Sequence, residues 1–86
     1  MAQKKITTIV IYDIADTKIR NRVAETCKDY GLKRIQYSAF MGRMTGNLRE
    51  ELFFKLEDIL GNERGRILVI PLCEHDWQAR LEVENF

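Results

Sequence analysis

An acid closes the most apolar stretch of the chain. Ile6-Thr7-Thr8-Ile9-Val10-Ile11-Tyr12-Asp13 is a run of mostly β-branched residues that ends in a carboxylate. Asp13 shares its alternation with Ile9 and Ile11, so burial would cost several kcal/mol unless a cation or hydrogen-bond donors satisfied it. A lone carboxylate at a strand end could coordinate Mg²⁺, which prefers oxygen ligands and keeps several waters. One aspartate per chain is a poor metal site. Two copies packed through a sheet face could bring their Asp13 residues together near a two-fold axis. The repulsion between them would then favour a bridging cation or a shared proton. A metal held there could polarise a phosphodiester and activate a water. The competing role for Asp13 is to cap the helix that follows, as acids at such positions commonly do. The residues alone leave both roles open.

Arg20, Arg22 and Arg34 are the candidate phosphate ligands, because a guanidinium gives bidentate contacts. At about 100° per residue, Arg20 and Arg22 lie roughly 200° apart around a helix and flank its apolar stripe on opposite sides. Arg22 could equally pair with Asp29 or Glu25 as a solvated salt bridge. Arg34 shares strand parity with Ser38 and Phe40. Ser38 could hydrogen-bond a phosphate, and Phe40 could stack on a base, although a strand aromatic is more often a core or dimer contact. Basic residues interleaved with exposed aromatics would indicate single-strand binding, but Tyr37 and Phe40 fall on opposite faces in the period-two reading. His75 stands alone, and no Ser, Cys and His spacing supports a catalytic triad.

The elements that must position these residues are legible from periodicity. Ile6 to Asp13 reads as a buried strand. Asp16 caps a helix over roughly 17–30, with Ile19, Val23, Cys27 and Tyr30 as its apolar stripe and Gly31 as its stop. Residues 33–44 alternate with period two, placing Ile35, Tyr37, Ala39 and Met41 on one face. The run is either one long strand bent near Met41-Gly42 or two strands joined very tightly. Two strands are favoured, because the run is long for a small domain. Asn47 followed by Glu50 resembles a capping box for a helix over roughly 48–60, which Gly61 ends. Arg66 to Leu72 is a buried strand in which Pro71 marks an end or a sheet edge. Glu74-His75-Asp76 reads as a loop, and Arg80 to Phe86 as a final short strand.

The order β-α-β-β-α-β plus a terminal strand predicts an α+β, ferredoxin-like antiparallel sheet with both helices on one face. All 86 residues form one domain. Nothing in the chain remains to cover the other sheet face, so packing against a second copy, a homodimer, is expected. The terminal strand could reach across and extend the partner's sheet. A net charge of +1 conceals an asymmetry. Residues 1–46 hold nine Lys and Arg against four acids, and residues 47–86 hold five against nine. A basic first half suits phosphates, and an acidic second half suits a different partner. No apolar run approaches the ~20 residues of a membrane span, and the start has no signal-peptide core, so a soluble cytoplasmic protein is expected. Cys27 and Cys73 read as buried thiols rather than a disulfide or zinc pair.

Two blocks carry a family resemblance. Tyr12-Asp13-Ile14 with Asp16 and Arg20-x-Arg22, followed by Arg34-Ile35-Gln36-Tyr37-Ser38-Ala39-Phe40-Met41-Gly42, closely resembles the second CRISPR-associated adaptation protein family. The resemblance runs from about Ile6 through Leu72, and the tail from Cys73 diverges. It implies a small ferredoxin-like homodimer that partners the CRISPR integrase during spacer acquisition. It further implies metal-dependent endonuclease activity on RNA or DNA, with Asp13 holding Mg²⁺ or Mn²⁺ at the dimer axis as the catalytic residue and Tyr12 beside it. By motif position Arg20, Arg22, Arg34, Ser38 and Phe40 are implied to contact nucleic acid. Some members of the family serve mainly as a DNA-binding scaffold, which is the alternative expectation.

Overall fold

In a computed structural model, residues 4–86 are described. They form β1 (Ile6–Ile14), α1 (Thr17–Asp29), β2 (Lys33–Gln36), β3 (Ala39–Met44), α2 (Gly46–Leu60), β4 (Gly65–Leu72) and α3 (Glu74–Gln78). The strands lie in the order β2-β3-β1-β4, and every ladder is antiparallel. This is the ferredoxin-like α+β arrangement that the element order predicts. Among the described residues no helix is long and apolar enough to cross a membrane.

The pleat of β1 divides the molecule. Val10, Tyr12 and Ile14 are buried in one cluster with Val23, Ala24 and Cys27 of α1, Phe40 and Met44 of β3, and Leu52 and Leu56 of α2. Ile9, Ile11 and Asp13 have the opposite parity and face away from both long helices. That second face stays apolar and open: Ile11, Ile35 and Leu68 are about two-fifths exposed. A groove of about 690 Å³ runs over it, bordered by Ile9, Ile35 and Met41 on the sheet and by Trp77 and residues 80–86.

The helix ends follow capping chemistry. Asp16 accepts a 2.9 Å hydrogen bond from the Ile19 amide, and Gly31 closes α1 with φ of 83°. α2 starts earlier than periodicity suggested, with Thr45 in the role expected of Asn47. Its extended backbone lets Thr45 Oγ1 accept from the Leu48 amide at 3.3 Å. Burial pushes the Cys27 thiol up to about 12 and keeps it protonated, whereas Cys73 is exposed rather than buried.

Residues 33–44 form two tightly joined strands, with Tyr37-Ser38 as the turn between them, rather than one strand bent near Met41-Gly42. Arg34 pairs with Phe40 and Gln36 with Ala39, so a bulge shifts the register inside β2. Beyond the bulge Arg34 shares the face of Phe40, and Ile35 and Met41 both border the open-face groove, as the period-two alternation predicts. Gly42 has a packing role. A Cβ there would meet Leu32 Cδ2 at 2.6 Å and Leu32 Cα at 3.3 Å.

Two expectations about the chain's end are corrected. Glu74 to Gln78 is a short helix, not a loop, and residues 79–86 form no strand. A strand needs a ladder partner, and among the described residues the tail finds none; Leu81 and Phe86 are fully exposed. Pro71 lies on β4, an edge strand, as its missing amide requires.

Two outcomes follow from this packing. Gly42→Ala should destabilise the fold by about 1–3 kcal/mol, because buried Leu32 has no room to yield; urea unfolding of the variant measures this. Tyr30 donates a 2.5 Å hydrogen bond to Glu51 Oε2, and that bond pushes its phenol from 10.0 up to about 12. The neutral phenol is thus favoured in the fold. Its contribution is complete below about pH 10 and declines toward about pH 12, where the unfolded chain has already lost the proton. Tyr30→Phe should be less stable at neutral pH, and its deficit relative to the parent should shrink over that alkaline window.

Candidate active site

Asp13 stands on the open face, one residue before the end of β1, and is exposed. Its cross-strand neighbour on β4 is Arg66, and Ile11 lies opposite Leu68 one pair further along the same face. These residues, with Tyr12, line a hollow of about 210 Å³. Among the described residues neither Asp13 nor Arg66 makes an ion pair or a side-chain hydrogen bond. Asp16 takes the N-cap of α1, so the capping role weighed for Asp13 is filled by its neighbour.

Tyr12 borders the hollow, yet its ring lies on the helix side of the sheet. It is only 2% exposed and stacks on Phe40 with ring centroids 6.3 Å apart. The pleat sends consecutive side chains to opposite faces, so the Tyr12 ring and the Asp13 carboxylate lie on different sides of the sheet. The Tyr12 hydroxyl is buried and makes no hydrogen bond of good geometry, although the Arg34 guanidinium lies close to it. Burial pushes its phenol up, and the Arg34 guanidinium acts in the opposite direction.

A second cluster gathers on that helix side, at the same end of the sheet. The Arg34 guanidinium sits 5.1 Å from the Phe40 ring centroid and 6.0 Å from that of Tyr37. Arg20 lies over Tyr37 at 5.7 Å. Arg20 also donates from Nη1 to the carbonyls of Ile14 and Ala15 at 3.2 and 3.3 Å, and from Nη2 to Thr17 Oγ1 at 3.4 Å. It therefore braces the turn that follows Asp13. Tyr37 is 70% exposed, so two guanidinium planes and an accessible ring form one surface. Such a surface suits phosphates and unstacked bases.

The remaining sequence candidates have different places. Phe40 is completely buried, which removes it as a surface platform for a base and makes it the floor beneath Arg34. Ser38 lies in the β2–β3 turn, and its carbonyl accepts from the Tyr12 amide at 3.0 Å. Arg22 is on the far side of α1, beside Asn21, Glu25, Thr26 and Ile59, and is not brought to either cluster. Glu25 pairs with Lys28 instead of Arg22, at 3.6 Å. Sequence reasoning passed over Tyr37 and Arg66. The two-residue turn would have exposed Tyr37. Arg66 becomes visible only once β4 is aligned antiparallel to β1.

As a metal ligand Asp13 fits in part. Among the described residues no group of three or more His, Cys, Asp and Glu comes together. One hard oxygen donor suits Mg²⁺, which uses one or two carboxylates and keeps its waters. A single carboxylate is by itself an incomplete donor set.

Residues 6–80 match the sequence profile of the family described as CRISPR associated protein Cas2. The chain is 48% identical over 77 residues to the CRISPR-associated endoribonuclease Cas2 of Desulforudis audaxviator, covering 90% of this chain and 73% of that relative. It is 46% identical over 75 residues to a CRISPR-associated endonuclease Cas1/endonuclease Cas2 fusion of Thermoproteus tenax, covering 87% of this chain and 28% of the fusion. The crystal structure of Streptococcus pyogenes Cas2 superposes with a TM-score of 0.74 at 28% identity, covering 93% of this chain and 100% of that one. The matched span takes in every strand of the sheet and both long helices, and the chain belongs to the CRISPR-associated Cas2 family.

Proposed function

We propose that this chain is a metal-dependent endonuclease subunit that cleaves nucleic-acid phosphodiesters as a homodimer and serves CRISPR adaptation. RNA is the first substrate to consider, since relatives carry the name endoribonuclease. The observation that carries the reading is Asp13: an exposed, unpartnered carboxylate at the end of the central strand, on an open apolar sheet face. Two copies packed through that face bury Ile9, Ile11, Ile35 and Leu68 and bring their Asp13 residues into one site. Together the two carboxylates would hold Mg²⁺ or Mn²⁺, which when bound would supply Lewis-acid polarisation of the scissile phosphodiester. The chain's own groups bind and orient the strand: Arg34 and Arg20 on phosphates, Tyr37 between them. Arg20 also holds the turn after Asp13 in place through Ile14 and Ala15.

A second reading, a non-catalytic scaffold, is favoured by the Arg20–Tyr37–Arg34 surface, because it lies on the helix side of the sheet, away from Asp13. In that role the basic half of the chain lies on DNA, and the integrase Cas1 is the protein partner. The fusion of Cas1 and Cas2 in Thermoproteus tenax supports that pairing.

Asp13→Asn separates the two readings. Cleavage of a single-stranded RNA with Mg²⁺ should fall by about 10²-fold or more, while the melting temperature and duplex affinity stay at parental values. An Asp13→Asn protein that cleaves as fast as its parent sinks the enzyme reading. The dimer has its own check in Ile11→Glu, which places a charge on the face that two copies would share. That variant should sediment as a monomer and lose cleavage although Asp13 is intact.

A further inference from the structure

We propose that Arg66 binds a backbone phosphate of the nucleic acid whose phosphodiester lies at Asp13, because the two side chains stand directly opposite each other across β1 and β4 and share one hollow. The assignment rests on the reading of Asp13 as the cleavage-site carboxylate, and it adds a phosphate ligand on the same face.

The register fixes the geometry. Asp13 pairs with Arg66 in an unbroken antiparallel ladder, so the two Cβ atoms project to one face about 4.5–5.5 Å apart. Opposite charges at that separation ordinarily close into an ion pair. The described residues contain three ion pairs within 4.0 Å, at Lys28–Glu25, Arg43–Glu74 and Arg80–Glu82, and none joins Asp13 to Arg66. A guanidinium present only to neutralise Asp13 would be spent on it. Here both charged groups reach the same hollow of about 210 Å³, walled by Ile11 and Leu68. Apolar walls weaken solvent screening and strengthen a charge-assisted hydrogen bond to an incoming anion.

Rigidity supports the same conclusion. Gly65, immediately before Arg66, has φ of 156°, and a Cβ on it would lie 3.0 Å from both the Asp13 carbonyl oxygen and Ile14 Cγ1. The start of β4 is therefore pressed against the Asp13 peptide, and Arg66 projects from a ladder residue rather than from a loose loop. The backbone that carries Arg66 is thus already ordered, and only its exposed side chain has to settle when a phosphate arrives. Its planar fork matches two phosphate oxygens, which a lysine does not. When two copies pack through this face, each brings an Arg66, and the two guanidinium groups offset the mutual repulsion of the carboxylates.

The experiment uses the Asp13→Asn background, so that no cleavage intervenes and Asp13 has no charge to balance. A labelled single-stranded RNA of mixed sequence is titrated with the dimer in chelator, over a series of salt concentrations. Adding Arg66→Gln should weaken binding by about tenfold and lower the slope of log affinity against log salt by about 0.7, the loss of one phosphate contact. Arg66→Lys should retain the slope. If Arg66→Gln leaves affinity and slope unchanged in this background, Arg66 serves only Asp13 and the proposal is overturned. Should Arg66→Gln not fold, Arg66→Met, which keeps the apolar stem, is read by the same two outcomes. Failure here is distinct from failure of the enzyme reading, which is decided by cleavage with Asp13→Asn alone and needs no change at Arg66.

Discussion

β1 is hydrogen-bonded along both edges, to β3 and to β4, and its pleat cannot turn without breaking two ladders at once. Everything else is arranged around that constraint. Even-numbered residues from Val10 to Ile14 fill the core beneath the helices, while Ile9, Ile11 and Asp13 face the other way. A slip of one residue would bury the carboxylate among Val23, Cys27 and Leu56 and expose the core residues. The apolar majority of β1 thereby dictates where its single acid goes. The position of Asp13 follows from the burial of its neighbours.

The same constraint separates the two charged regions. The carboxylate and Arg66 lie on the open face, and Arg20, Tyr37 and Arg34 lie at the end of the sheet on the helix side. Phe40 links them indirectly: it is buried against Tyr12 of β1 and supports Arg34 from below. An aromatic that the sequence offers as a surface residue is in this fold the buried base on which an arginine rests. The two clusters therefore stand on opposite sides of one thin sheet, at the same end of it.

Much of this was legible in the sequence because it depends on local chemistry. Asp16, Gly31 and Gly61 punctuate the helices as their side chains and φ freedom require. The β-α-β-β-α-β order follows from two clear periods. The failures share a cause, a long-range or one-residue effect that no local window contains. Tyr37 falls in the two-residue turn, where strand parity does not apply, so its ring meets Arg34 although the alternation set the two on opposite faces. Thr45 took the cap expected of Asn47 because its backbone is extended there. The alternation in Arg80 to Phe86 is real as a pattern, but a pattern without a ladder partner is not a strand. Arg66 needed the antiparallel register of β4, which sequence spacing does not encode.

Arg20 carries a consequence that is best counted in donors. A guanidinium has five N–H groups. In this chain two on Nη1 are committed to the Ile14 and Ala15 carbonyls and one on Nη2 to Thr17 Oγ1. The second Nη2 hydrogen and the Nε hydrogen are left, a single edge of the fork, and the Tyr37 ring lies alongside the plane. Arg20 is therefore in large part a brace for the turn after Asp13, and only part of its fork is left for any other acceptor.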